Sequence, residues 1–97
     1  MSRKNTRLLD GSMEDVREWH REYLEAVSNP LRRGILRALG DGEATMEVLQ
    51  SRTGLDGKAL EWHLSILEHA LCVEKENRGG EVLYKITREG KIVDRLE

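Results

Sequence analysis

A dense run of side chains that could do chemistry falls between residues 56 and 72: Asp56, Lys58, Glu61, Trp62, His63, Ser65, His69 and Cys72. Lys58 is a cation of the ordinary phosphate-binding kind. Asp56 and Glu61 would be repelled by phosphate unless aimed at a donor such as the cytosine amino group. Lys75, Arg78 and Lys85 follow, interleaved with Glu74, Glu76 and Glu81, so that stretch is neutral overall. Arg32, Arg33 and Arg37 form the most concentrated positive charge outside the N-terminal residues. They could position a DNA backbone, although an arginine-rich helix face is more often solvated or paired with acids. His69 and Cys72 have a spacing that could place two metal ligands on one helix face, but a closed zinc site normally takes four. With one cysteine in the chain there is no intrachain disulfide, and the expectation is no metal and no cofactor, with Cys72 as buried packing at a helix-strand junction. No Gly-rich loop opens a helix after a strand, Gly40 to Gly42 precedes no nucleotide-binding unit, and no nucleophile motif is present, so the expected activity is not enzymatic.

The elements that must position these residues have to come from one domain, because 97 residues divided in two would leave each core too small to offset chain entropy. The apolar share is 38% with no Phe, two Trp and two Tyr, so the core must be aliphatic. Sixteen Lys plus Arg against eighteen Asp plus Glu leave a net charge of −2, which excludes a broadly basic nucleic-acid glue and an acidic tail. No apolar run approaches the ~20 residues of a membrane span, and Met1-Ser2-Arg3-Lys4 is not followed by a signal-peptide stretch, so the chain is expected to be cytoplasmic with no membrane partner.

Residues 1–12 carry Arg3, Lys4 and Arg7 without helical periodicity and read as a flexible basic arm; residues 13–97 read as the folded domain. Ser12 caps a helix from Met13 to Val27, with Val16, His20, Tyr23, Leu24 and Val27 at helical spacing. Asn29 caps a second from Pro30 to Leu39, with Leu31, Ile35, Ala38 and Leu39 as its buried stripe and the arginines elsewhere on it. Thr45 caps a short third over 46–52, burying Val48 and Leu49. After a Gly-containing break, Leu60, Leu64, Leu67 and Leu71 set a fourth helix over 56–70. His63 lies at one edge of that stripe, and Trp62 at the other, near Ile66. The bland reading of Trp62 packs its ring over a neighbouring helix or the hairpin; the sharp one makes it an exposed anchor for a partner. Val73 to Glu76 and Val82 to Ile86 flank Asn77-Arg78-Gly79-Gly80 as a hairpin, and Thr87 caps a last helix with Ile92, Val93 and Leu96 on its apolar side.

The expected fold class is therefore mainly α with a small β-hairpin: a winged helix-turn-helix, with a three-helix core, a wing, and flanking N- and C-terminal helices. The residues themselves resemble a family. Ser28-Asn29-Pro30-Leu31-Arg32-Arg33, Ala44-Thr45, Leu55, His63-Leu64, Ile66-Leu67-Glu68 and Val73 look like the ArsR-type repressors and their archaeal relatives over roughly residues 26–90. That resemblance implies a homodimeric, sequence-specific regulator of transcription that binds double-stranded DNA. Residues 46–52 would be the supporting helix, 56–70 the recognition helix in the major groove, and 74–85 the wing. The implied DNA-binding residues are Lys58, Glu61, Trp62, Ser65, Lys75, Arg78 and Lys85. Val16, Trp19, Tyr23, Leu24, Ile92, Val93 and Leu96 are the expected dimer interface. The chain departs from the family pattern in the acids on the recognition helix and in having no cysteines on the supporting helix. It also has Ala70-Leu71 where Ala-Gly is usual, so the left-handed cap must be supplied otherwise. The alternative reading is a winged-helix protein-interaction module that binds a protein partner through the Trp62 and Glu61 surface, with little DNA affinity.

Overall fold

The computed structural model describes residues 12–92 and gives, in order, α1 (Met13–Val27), α2 (Pro30–Leu39), α3 (Met46–Thr53), α4 (Gly57–His69), β1 (Val73–Arg78), β2 (Glu81–Ile86) and α5 (Arg88–Lys91). Of the basic arm expected over residues 1–12, all but Ser12 lies outside the described residues, as do Val93 and Leu96 of the expected interface. None of the described helices is long and apolar enough to cross a membrane.

Every helix begins at a side chain that accepts from an otherwise orphaned backbone N–H. Ser12 accepts from Asp15, Asn29 from Leu31 and Arg32, Thr45 from Val48, Asp56 from Ala59, and Thr87 from Gly90. Each such cap contributes ~1 kcal/mol, and Pro30 adds a preset φ at the first turn of α2. The apolar faces of α2, α3 and α4 then meet: Ile35, Leu39, Leu49, Leu60, Leu64 and Leu67 are shut off from solvent. At ~1.5–3 kcal/mol for each fully buried aliphatic side chain, this cluster is the main force holding the three helices together.

Two details of the expected core are corrected. Leu31 is half exposed, and the buried face of α2 runs through Arg32, Ile35, Leu36 and Leu39 at i, i+3, i+4 and i+7. A buried arginine is tolerable at the head of that stripe because its donors meet carbonyls left open at the C-terminal end of α1: Nε donates to Ala26 O at 2.7 Å and Nη2 to Glu25 O at 3.4 Å. Val48 is 37% exposed, since the eight-residue α3 turns only Leu49 fully inward.

Past its cap residue Ala70, α4 ends with Leu71 in the left-handed region at φ 65. Leu71 N–H donates to Glu68 O at 3.0 Å and Cys72 N–H to Leu67 O at 2.8 Å, the paired bonds of a Schellman motif made without glycine. The hairpin instead turns on two glycines: Gly79 and Gly80 have φ of 59 and 87, the pair of positive values a type I′ turn requires. Its strands pair antiparallel from Val73↔Ile86 to Arg78↔Glu81. Ala44, in the α2–α3 loop, bridges to Tyr84 through bonds of 3.0 and 2.8 Å, which ties that loop to β2.

Candidate nucleic-acid interface

The caps fix where α4 starts, and the leucine stripe fixes how it is rotated. With Leu60, His63, Leu64 and Leu67 buried, the outer face of α4 is Lys58, Glu61, Trp62, Ser65 and His69, all exposed. Four of the seven residues expected to meet DNA therefore share one solvent face of one helix. Asp56 is not among them as a free acid: its Oδ1 accepts from Ala59 N–H at 2.8 Å, where the helix dipole also favours negative charge. Ser65 Oγ donates to Trp62 O at 2.7 Å, leaving its lone pairs to accept from a ligand.

Trp62 is 60% exposed. Its ring meets His63 edge-on at 5.0 Å and has the Arg32 guanidinium 5.9 Å from its centroid. Arg32 Nη1 lies 3.2 Å from His63 Nδ1; an arginine can only donate, so Nδ1 accepts and the imidazole is neutral. Burial, and after it the charge of Arg32, pushes the His63 pKa down. The three clustered arginines of the sequence thus serve different ends. Arg32 braces α1 against α4 from inside, Arg33 donates to Ser28 O at 3.2 Å, and Arg37 stands exposed on α2.

The wing separates its three cations. Side chains alternate across a strand and cross-strand partners share a face, so Lys75 lies on the face of buried Tyr84, whereas Arg78 and Lys85 lie on the other. Lys75 is half-buried, and its charge partly counters the burial that raises the Glu68 carboxyl. Lys85 is exposed. Arg78 is held by acids: Nη1 to Glu43 Oε2 at 2.7 Å, Nη2 to Glu43 Oε1 at 3.2 Å and Nη2 to Glu76 Oε1 at 2.9 Å. The bond from Arg78 holds the Glu43 carboxyl below its ordinary pKa, and the same contacts raise that of Arg78. Neither Glu43 nor the burial of Arg32 was visible in the sequence, because each depends on a partner from a distant segment.

The expected dimer residues divide as well. Val16 (41%), Leu24 (47%) and Ile92 (43%) expose apolar area, and Met13 (68%) extends the α1 stripe at i−3 from Val16, a spacing readable in the sequence. Tyr23 is consumed by its own chain: its ring is buried, and its hydroxyl donates to Glu89 O at 3.0 Å. Trp19 is half-buried, meets the Tyr23 ring at a tilt with centroids 5.4 Å apart and donates from Nε1 to Ala70 O at 2.8 Å. Neither His69 nor Cys72 is placed as a metal pair would be. His69 faces Glu22 Oε2 at 3.3 Å on the surface, Cys72 is fully buried with its thiol pushed up to about 12 by burial, and among the described residues no three His, Cys, Asp or Glu side chains converge.

Residues 27–76 match the model of a helix-turn-helix domain family. Among solved structures, NolR from Sinorhizobium fredii is similar at 27% identity and a TM-score of 0.73, with 94% of this chain and 93% of that one covered. HlyU from Vibrio cholerae is similar at 29% identity and a TM-score of 0.72, covering 87% of this chain and 94% of that one. A homodimeric winged helix-turn-helix DNA-binding domain from Mycobacterium bovis, solved in solution, is similar at 25% identity and a TM-score of 0.73, over 92% and 82% of the two chains. The chain has no significant match among curated proteins. It belongs to the helix-turn-helix domain family, in the winged form of the ArsR-type transcriptional regulators.

Proposed function

We propose that this protein is a homodimeric transcriptional regulator that places α4 in the major groove of double-stranded DNA and its wing on the flanking backbone. The observation that carries the reading is the two-sidedness of α4. One face is locked into the core by Leu60, Leu64 and Leu67, and the other offers Lys58, Glu61, Trp62 and Ser65 on a rigid rod. Pairing through α1 and the C-terminal segment is supported by the exposed Met13, Val16, Leu24 and Ile92, and by the homodimeric relative. The reading makes the protein a cytoplasmic binder without catalytic chemistry. Light scattering should give twice the chain mass at micromolar concentration, and a labelled duplex titrated at low salt should bind. Glu61→Gln then separates two roles for that acid. Tighter binding on all sequences marks Glu61 as a repulsive charge, while a loss of ~1–3 kcal/mol on one preferred site marks it as a reader of cytosine.

One observation favours the protein-interaction reading. The exposed Trp62 stands at a groove of about 650 Å³ between α1 and α4, lined also by Glu22, Glu25, Ala26 and Ile66. That reading takes over if no duplex binds at low salt.

A further inference from the structure

The least expected contact on the candidate DNA face is the one at the wing tip. Arg78 is the wing cation nearest the turn, and the resemblance implies that it binds DNA. Yet both of its terminal nitrogens are already bonded to carboxylates, Glu43 through the bidentate fork and Glu76 through a single bond. A bidentate fork is the geometry in which arginine takes a phosphate, so Glu43 occupies one of the two guanidinium edges a DNA backbone could use, and Glu76 takes the Nη2 that the other edge needs. Two acids are bonded to this one cation, so its charge is already matched, while Lys85 on the same face also acts on Glu43.

Glu43 is brought there by the backbone. The next residue, Ala44, exchanges two hydrogen bonds with Tyr84 on β2, so the α2–α3 loop is laced to the wing and its preceding side chain is delivered toward the tip. The pair is also open to exchange: the Arg78 and Glu43 side chains are 51% and 37% exposed, and water and salt weaken such a pair.

We propose that Glu43 is a built-in competitor for DNA, occupying Arg78 so that the wing takes up a backbone phosphate only by exchanging it for this carboxylate. The proposal rests on the DNA-binding reading above. It makes Glu43 a brake on non-specific affinity: the free protein shows a paired wing, and the arginine becomes available only where α4 has already brought a duplex close enough for phosphate to displace the acid. If Glu43 served instead to hold Arg78 in position for phosphate, its removal would have the opposite sign.

The test is a set of anisotropy titrations of one labelled duplex with the full chain, over a range of salt, for wild type, Glu43→Gln, Arg78→Ala and the double variant. Glu43→Gln should bind about threefold tighter at low salt, with the slope of log affinity against log salt steeper by about 0.9, the signature of one added phosphate contact. That gain should be at least halved in the Arg78→Ala background, because a double-variant cycle isolates the part that passes through the arginine. Weaker or unchanged binding by Glu43→Gln, or the same gain with Arg78 absent, overturns the role of Glu43 while wild-type binding leaves the DNA reading intact. A wild type that binds no duplex overturns both.

Discussion

The turn that leaves α4 and the turn at the tip of the wing both require left-handed backbone, and they obtain it in opposite ways. At the tip Gly79 and Gly80 adopt positive φ without a Cβ to object, and a single side chain, Asn77, accepts from Gly80 N–H. At the exit of α4 the residue is Leu71, for which the left-handed region costs roughly 1–2 kcal/mol. What holds Leu71 is tertiary. Ala70 O accepts from Trp19 Nε1, Leu71 O from Thr87 Oγ1 and Cys72 O from Thr87 N–H, so α1 and the start of α5 clamp three successive carbonyls. The lesson is about division of labour. Helix α4 is anchored at its far end by a buried, over-determined knot, while the wing tip is an exposed turn held by Asn77 and by ion pairs open to exchange.

The largest effect should come from forcing the knot. A Cβ on Gly90 would collide with Cys72 O and meet Ile86 Cγ1 at 2.8 Å, so Gly90→Ala should cost ~2–3 kcal/mol in urea denaturation. Gly80→Ala opens into free space and bears only the strain of φ 87, so its cost should be ~1 kcal/mol. Equal costs at the two positions would erase the distinction between knot and tip. A smaller change is expected at Leu71, in the knot itself. Leu71→Gly relieves the left-handed strain but frees the unfolded chain and removes a half-buried side chain, terms of similar size, so stability should change by less than ~1 kcal/mol. A loss of more than that would mean the leucine side chain, and not the hydrogen-bonded clamp, holds the turn.

The smallest change expected is a slope with pH. His63 is held neutral against Arg32, so its folded pKa lies below its unfolded one. The unfolded chain then binds more protons as the pH drops, and the stability His63 contributes is complete above ~6.5 and is lost as pH falls below that value. Thermal melts between pH 7.5 and 5.5 should fall more steeply for wild type than for His63→Gln, which keeps an acceptor for Arg32 and does not titrate. Parallel curves would contradict a neutral His63 on the inner face of α4.

The same contrast explains what the sequence could show. The helix starts are legible because capping is local: Ser12, Asn29, Thr45, Asp56 and Thr87 each act within three residues of themselves. The I′ turn is legible for the same reason, from adjacent glycines. The outer face of α4 follows from the leucine spacing alone. What escapes a sequence reading is whatever a distant segment decides. The α4 exit without glycine depends on Trp19 and Thr87, the inward turn of Arg32 on carbonyls at the end of α1, and the pairing of Arg78 on a loop laced to β2. Tyr23 shows the limit from the other side. Its helical spacing suits an interface equally well, and only the position of Glu89 O reveals that it belongs to its own core.

The central claim is that the outer face of α4 meets DNA, and Lys58 tests it most directly. Lys58 is exposed on the first turn of α4, outside the core, so its removal should leave the fold intact. Duplex affinity measured by anisotropy at several salt concentrations should fall for Lys58→Ala on every sequence tried, with the salt slope shallower by about 0.9 for one lost phosphate contact. Wild-type affinity and slope in Lys58→Ala would show that the duplex does not lie against this face.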